Sequence, residues 1–428
     1  MTVLSLKNTP LAFLTSYSYE RLNILHQASG YATVLFTVLH GITYIVSEAN
    51  NGKISELGKM SNVMGEVAGV AMLVMTASAL LIRKLRYEIF YSLHIIMFIL
   101  IVVGMGFHRP INSVNVWTFA CFAGGAWILD RMLRFVKIAL LNFLGNSAKV
   151  VSLPHGGLRI TLAKTPLLAV PGSHLFLWIP GVRALETHPF TIVGTNPTEL
   201  VVSAQDGFTR SLYNKAVASQ GQLTLRASVD GPYGTLPAFT DFSHIIFVAG
   251  GTGASFTFAA VNNMIVKSRK TGVSMPRIHF VWVIRDAEYL EWFGTHLESL
   301  RECENVKIEV YITRQSGTTS SSSTLSVSSA AEKTNIHVQA TDVEKSGFTS
   351  EVSSQNEKSV VGVSMRYGRP DLKALIPVIE TGMKATNAST LVAACGPKGM
   401  MNDVRKCVAD EVAAGRPGLR VHTEAFGW

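Results

Sequence analysis

The sequence predicts a multidomain chain: an α-helical transmembrane bundle, then an antiparallel β-barrel, then an α/β domain built on a parallel sheet. Three observations predict it. Only 16% of the 428 residues are charged and the mean hydropathy is positive, with the apolar excess gathered ahead of about Leu144. From Lys149 to Pro237 the chain turns to short β-rich runs broken by Gly and Pro, the rhythm of a small barrel. After Phe242 apolar strands alternate with helical patterns, as in a nucleotide-binding α/β domain.

Residues 1–23 form a leading segment. Within 24–143 four stretches, 24–46, 63–82, 89–107 and 114–136, are long enough for a hydrocarbon core about 30 Å thick. Arg83, Lys84 and Arg86 fall between the second and third, and Arg131, Arg134 and Lys137 close the fourth. The positive-inside rule makes both of those ends, and residues 1–23, cytoplasmic. The first and third spans then run inside to outside, and the fourth delivers the rest of the chain to the cytosol. The opening MTVLSLKNTP lacks a charged stretch followed by an apolar core, so no cleavable signal is expected and the spans drive insertion.

Four histidines in this apolar third form two pairs of equal spacing, His26 with His40 and His94 with His108. Fourteen residues at about 100° each stop about 40° short of four turns, so both members face one way, about 21 Å apart along the axis. Parallel spans put His26 at the depth of His94 on the cytoplasmic side, and His40 at the depth of His108 on the outer side. Two facing imidazole pairs across a membrane suit two haems, each with two axial histidines. A lone intramembrane histidine is more often packed or part of a proton relay; the repeated interval sets these apart. Gly30, Gly41, Gly104 and Gly106 would admit a macrocycle or mediate ordinary helix packing.

In the β-rich part, residues 149–238, His188-Pro189-Phe190-Thr191 is followed about twenty residues later by Gly207-Phe208-Thr209-Arg210-Ser211. Alone, the first is a strand with a turn; the second offers hydroxyls, an arginine and backbone donors at a helix start, which suits a pyrophosphate. In the α/β part, residues 243–428, Gly250-Gly251-Thr252-Gly253 joins an apolar strand to a helix, the setting a dinucleotide phosphate needs. Cys395-Gly396-Pro397 ends a late apolar strand and makes a second loop at the same sheet edge. Arg285 and Arg314 end two other strands and are placed either to meet a 2′-phosphate or to be solvated. The Ser/Thr-rich tract at about 315–361 is too polar for a core and is read as a disordered insertion. The final residue, Trp428, is a packed tail or a ring that stacks on a flavin.

The formal charge of +9 is accounted for by topology and anionic headgroups, so lipid and not nucleic acid is the expected partner. Cys121, Cys303, Cys395 and Cys407 show neither metal-type nor secreted-disulfide spacing and are read as reduced thiols.

In this order the paired histidines, HPFT, GGTG, CGP and the aromatic tail resemble the ferric reductase and NADPH oxidase superfamily. The equal spacing of both pairs, GRPD at Gly368 to Asp371, and the FGW ending look more like fungal ferric-chelate reductases. The resemblance covers the chain apart from the serine-rich tract. It implies a transmembrane flavocytochrome b with a ferredoxin-reductase-like FAD barrel and a Rossmann-like NADP domain. Electrons would pass from cytosolic NADPH through FAD and two haems b to an external ferric or cupric chelate, serving metal uptake at the plasma membrane, with any uptake partner proteins unidentified. By motif position, His188, Pro189, Phe190 and Thr191 would hold FAD, with Thr191 near the isoalloxazine, and Thr209, Arg210 and Ser211 its pyrophosphate. Gly250, Gly251, Thr252 and Gly253 would cradle NADPH, with Cys395, Gly396 and Pro397 by the nicotinamide and Trp428 over the flavin. His26, His40, His94 and His108 would ligate iron. A superoxide-producing oxidase would share every residue up to the outer haem, where Glu48, Glu56 and Glu66 are the acidic groups near the outer face. A non-catalytic paralogue is a third reading, because family members carry further spans ahead of the first histidine-bearing helix.

Overall fold

The computed structural model describes residues 2–6, 11, 14, 19–108, 114–143, 145–184, 186–314, 358–360, 363–376, 389–415 and 418–424. The chain divides into two compact units, Met1–Lys137 with Tyr233–Thr235, and Ile138–Pro232 with Leu236–Trp428.

The first unit is helical: α1 (Tyr19–Asn50), α2 (Met60–Leu81), α3 (Tyr87–Phe107) and α4 (Val114–Phe143), whose last turns belong to the second unit. Leu35, Phe36 and Ile42 on α1, Leu73 on α2 and Ile96 and Val103 on α3 are exposed. Water does not tolerate so extensive an apolar surface, whereas lipid tails solvate it. Among the described residues three helices are long and apolar enough to cross a membrane, Leu22–Asn50, Met60–Leu81 and Ile89–Phe107. The fourth expected span is helical but does not join them, because Asp130, Arg131 and Arg134 occupy its second half and Lys137 follows it directly. Asp130 is buried there with the Arg131 guanidinium 3.0 Å away. Small residues bring α2 and α3 together: a Cβ on Gly104 would meet the Met64 carbonyl at 2.9 Å and the Ala68 methyl at 3.0 Å.

The second unit opens with antiparallel strands β1 (Ser147–Leu153), β2 (Gly157–Leu162), β3 (His174–Trp178), β4 (His188–Thr191), β5 (Gly194–Thr195), β6 (Thr198–Ser203), β7 (Gln222–Arg226) and β8 (Ser228–Tyr233), with α5 (Phe208–Ala218) between β6 and β7. The expected barrel is built as two sheets around one core, five strands in the order β5-β6-β2-β1-β7 and three in the order β4-β3-β8. Alternation puts Leu158, Ile160 and Leu162 of β2 inward, against Phe208, Leu212 and Ala216, four residues apart on one face of α5. Each such leucine or isoleucine contributes about 1.5–3 kcal/mol by leaving water. Pro189 lies in β4, the edge strand of the three-stranded sheet, where a missing N–H is tolerated.

Next come β9 (His244–Gly250), α6 (Ala254–Thr271), β10 (Arg277–Ile284), α7 (Gly294–Arg301), β11 (Val306–Ile312), β12 (Lys358–Val360), β13 (Val363–Tyr367), β14 (Thr390–Cys395), α8 (Lys398–Ala413) and β15 (Leu419–Glu424). They build a seven-stranded sheet, β12-β13-β11-β10-β9-β14-β15, parallel except where β12 runs against β13. Every residue of β9 is buried, as a central parallel strand requires. One expectation is corrected here: Lys358–Val360, inside the tract read as disordered, pairs with Val360↔Val363 and its neighbours, an edge position where three residues suffice. Residues 315–357 of that tract lie outside the described residues. Strand order reverses at β9, with β10 and β11 on one side and β14 and β15 on the other. The carboxyl ends of β9 and β14 therefore frame a crevice.

Candidate functional site

Each histidine pair meets within the first unit. The ring centroids of His26 and His94 are 6.4 Å apart and those of His40 and His108 are 6.2 Å apart. Two imidazoles on opposite sides of one metal, each bonded at about 2 Å, place their centroids about 6 Å apart, so both pairs fit one axially ligated iron each. His108 Nδ1 lies 2.7 Å from the Ser61 carbonyl oxygen. A carbonyl only accepts, so Nδ1 carries the proton and Nε2 keeps the lone pair a metal needs. Phe90 packs 5.2 Å from the His94 ring, whose Nδ1 is buried without a hydrogen-bond partner among the described residues. Three of the four glycines differ in use: Gly41 faces open space, whereas Gly104 and Gly106 pack against Ala68 and Trp117.

In the second unit the HPFT strand and the GFTRS helix start come together through one side chain. The His188 ring stacks on Phe208 at 4.5 Å, and Phe190 lies 6.2 Å from the Phe208 ring. Phe208 opens α5, so strand and helix start are locked side by side by a residue in the barrel core. Glu186, which sequence reasoning missed, places a carboxylate oxygen 3.1 Å from His188 Nε2. Thr191 is buried. At the head of α5, Gly207 takes a φ of +79°, the Arg210 guanidinium donates to the Ala204 carbonyl at 3.2 Å, and the Ser211 hydroxyl to that of Gly207 at 2.9 Å. Helix geometry leaves the first backbone N–H groups without intrahelical acceptors, a ready anion site.

At the crevice the glycine turn and the CGP loop interlock. A Cβ on Gly253 would overlap the Cys395 carbonyl, and one on Gly250 would meet the Pro397 ring at 2.7 Å. Trp282, with no motif to announce it, holds the turn by donating Nε1–H to the Gly251 carbonyl at 3.1 Å. The Cys395 side chain is 1% exposed, within the core, and burial, aided by the Glu424 charge, pushes its thiol up so that it stays protonated. The crevice wall is therefore Gly396 and Pro397, not a thiolate. Arg285 and Arg314 are both exposed on adjacent strand ends, joined by the Arg314 N–H to Arg285 carbonyl bond at 2.9 Å. Residues 425–428, with Trp428, lie outside the described residues.

A half-buried network ties the barrel to the α/β domain. The Glu199 carboxylate sits 2.8 Å from Arg159 Nε and accepts from His296 Nε2 at 3.0 Å, while His296 Nδ1 accepts from the Asn262 amide at 2.8 Å. Burial opposes ionisation of Glu199, but His296 and Arg159 outweigh it and hold the carboxyl below its usual range. The Trp292 indole N–H donates to the Pro154 carbonyl at 3.0 Å, and a Cβ on Gly157 would overlap its ring. All four cysteines are free.

Residues 1–105 match the family described as ferric reductase like transmembrane component, 143–236 an FAD-binding domain, and 242–409 the ferric reductase NAD binding domain. Along its length the chain is thus similar to ferric reductases. It is 28% identical over 71% of its length to a probable cell surface ferric reductase of Aspergillus oryzae. Over 99% of its length it is 24% identical to ferric/cupric reductase transmembrane component 1 of Candida albicans, and over 95% it is 25% identical to ferric/cupric reductase transmembrane component 2 of Saccharomyces cerevisiae. The chain spans 43%, 54% and 57% of those relatives, about half their length. Among solved structures, a Malassezia yamatoensis flavohemoglobin aligns at a TM-score of 0.44 and 15% identity over 89% of this chain and 88% of its own. A Neisseria gonorrhoeae ferredoxin NADP+ reductase aligns at 0.41 and 15% over 65% and 97%.

Proposed function

We propose that this chain is an integral membrane ferric-chelate reductase, moving electrons from NADPH on the cytosolic side to an external ferric or cupric chelate, in the plasma membrane. The observation that carries the reading is the coexistence of two histidine pairs, each spaced so that it could hold one iron, with FAD-binding and NAD-binding domains in one chain. The chemistry supplied by the bound groups is the splitting of a hydride's two electrons by FAD and their one-at-a-time carriage by two haems b.

The protein's part is to hold and orient. His26 with His94, and His40 with His108, would hold one haem iron each. Ser61 fixes the tautomer of His108. His188, Pro189, Phe190 and Thr191 would line the flavin site, with the helix start at Thr209, Arg210 and Ser211 taking the pyrophosphate. Gly250 to Gly253 would let the dinucleotide backbone approach the start of α6, with Gly396 and Pro397 against the nicotinamide and Arg285 and Arg314 positioned for a 2′-phosphate. Arg83, Lys84 and Arg86 between α2 and α3 support a cytoplasmic loop there.

The test is spectroscopic. Purified full chain loaded with FAD and haem should give a low-spin bis-imidazole spectrum, reduced by NADPH and reoxidised by ferric chelate. Superoxide formation outpacing chelate reduction, and persisting without metal, would overturn the choice of acceptor.

A further inference from the structure

We infer that the first turns of α2, a helix without a histidine, position the outer haem ligands through Ser61, Asn62 and Gly65, and so set the properties of the outer haem alone. The inference rests on the haem reading above. Ser61 and Gly65 are four residues apart and share a helix face, while Asn62 lies about 100° round from Ser61. On that shared face, the Ser61 carbonyl accepts the His108 Nδ1 proton at 2.7 Å, and Gly65 presents bare backbone to the same ring, which any Cβ there would overlap. Asn62 reaches the other ligand. Its amide donates to the Tyr44 hydroxyl at 2.9 Å and to the Glu56 carbonyl at 2.8 Å, so both amide hydrogens are held. The Tyr44 ring, one turn outward from His40, stacks on it at 6.3 Å and 25°.

One short segment thus grips both outer imidazoles, one by hydrogen bond and shape, the other through a stacked tyrosine. The inner pair differs: His94 Nδ1 is buried with no such acceptor among the described residues. Groups that orient axial ligands tune metal affinity by about 10- to 100-fold, so the asymmetry lets the fold adjust one haem without the other. Ser61, Asn62, Gly65 and Tyr44 are positioning residues.

The experiment is an optical redox titration and low-temperature electron paramagnetic resonance of the purified full chain and of Gly65→Ala, Asn62→Leu and Tyr44→Phe, with the outer transition assigned as the one missing in His40→Ala. The expected result for Gly65→Ala is a roughly 10- to 100-fold weaker outer haem or a displaced outer transition and signal, with the inner transition unmoved. Asn62→Leu and Tyr44→Phe should shift the outer transition in the same direction as each other, and the double variant should go no further than the larger single one. If Gly65→Ala does not yield folded protein, those two variants carry the test, and the inner haem reports folding in each. Outer transitions unchanged in every folded variant, or both haems moving equally, would overturn the inference. Absence of two bis-imidazole haems in the parent would instead sink the functional reading, so the two failures are separable.

Discussion

Glu199 meets Arg159 from its own barrel and His296 from the α/β domain, so a single carboxylate carries part of the junction on which hydride transfer would depend. Because His296 and Arg159 hold its carboxyl below the usual range in the folded chain, its contribution to stability is present above the ordinary glutamate pKa and is lost as pH falls through the depressed folded one. Glu199→Gln should lower stability at neutral pH by about 1–3 kcal/mol, the scale for weakening a hydrogen bond to a charged, half-buried group. Its thermal midpoint should also fall less steeply than the parent's on acidification; parallel curves for the two would contradict this role. At the histidines, His40→Ala or His108→Ala should remove the outer haem and acceptor reduction, while NADPH still reduces flavin at the parent's rate. Chelate reduction retained by either variant would count against the path. Neither Glu199 nor Ser61 was visible as functional in the sequence, since a lone carboxylate on a strand or a serine at a helix start carries no spacing signal.

Elements show how loops distant in sequence become one surface. The turn after β9 and the loop after β14 are separated by the whole length of the domain, yet Gly253 packs on the Cys395 carbonyl. Gly253→Ala should force them apart at a cost of about 1–3 kcal/mol for overpacking. The expected readout is a raised KM for NADPH with FAD retained; an unchanged KM would mean the crevice is not the dinucleotide site. Trp292 joins barrel and α/β domain in the same way, from the turn before α7 onto Pro154 and Gly157. Trp292→Ala should cost about 3–5 kcal/mol, checked by thermal unfolding, and slow NADPH-to-flavin transfer. The sequence announced β9, β10, β11 and β14 through apolar runs, and the structure adds β13 and β15, whose residues VSMRY and LRVHTE mix polar and apolar types at the sheet's flanks.

For the whole molecule, the two compact units predict separable chemistry. Variants at the histidines should leave NADPH oxidation by a soluble dye acceptor unaffected, whereas Gly253→Ala should slow both dye and chelate reduction. Dye reduction lost along with the outer haem would mean that the units are not independent.

What the sequence by itself determined is periodic or local: the apolar helices, the fourteen-residue histidine interval, the strand runs and the glycine turn, each fixed by spacing along a helix or strand and by the special backbone freedom of glycine. Only the tertiary structure decided which of those pieces touch. It brought His188 onto Phe208, turned the Cys395 thiol into the core, split the expected barrel into two sheets, and placed Ser61 and Gly65 against His108 and Asn62 against Tyr44. The physical reason is that such contacts depend on packing between residues far apart in the chain, and a single sequence holds no local periodicity that reports it.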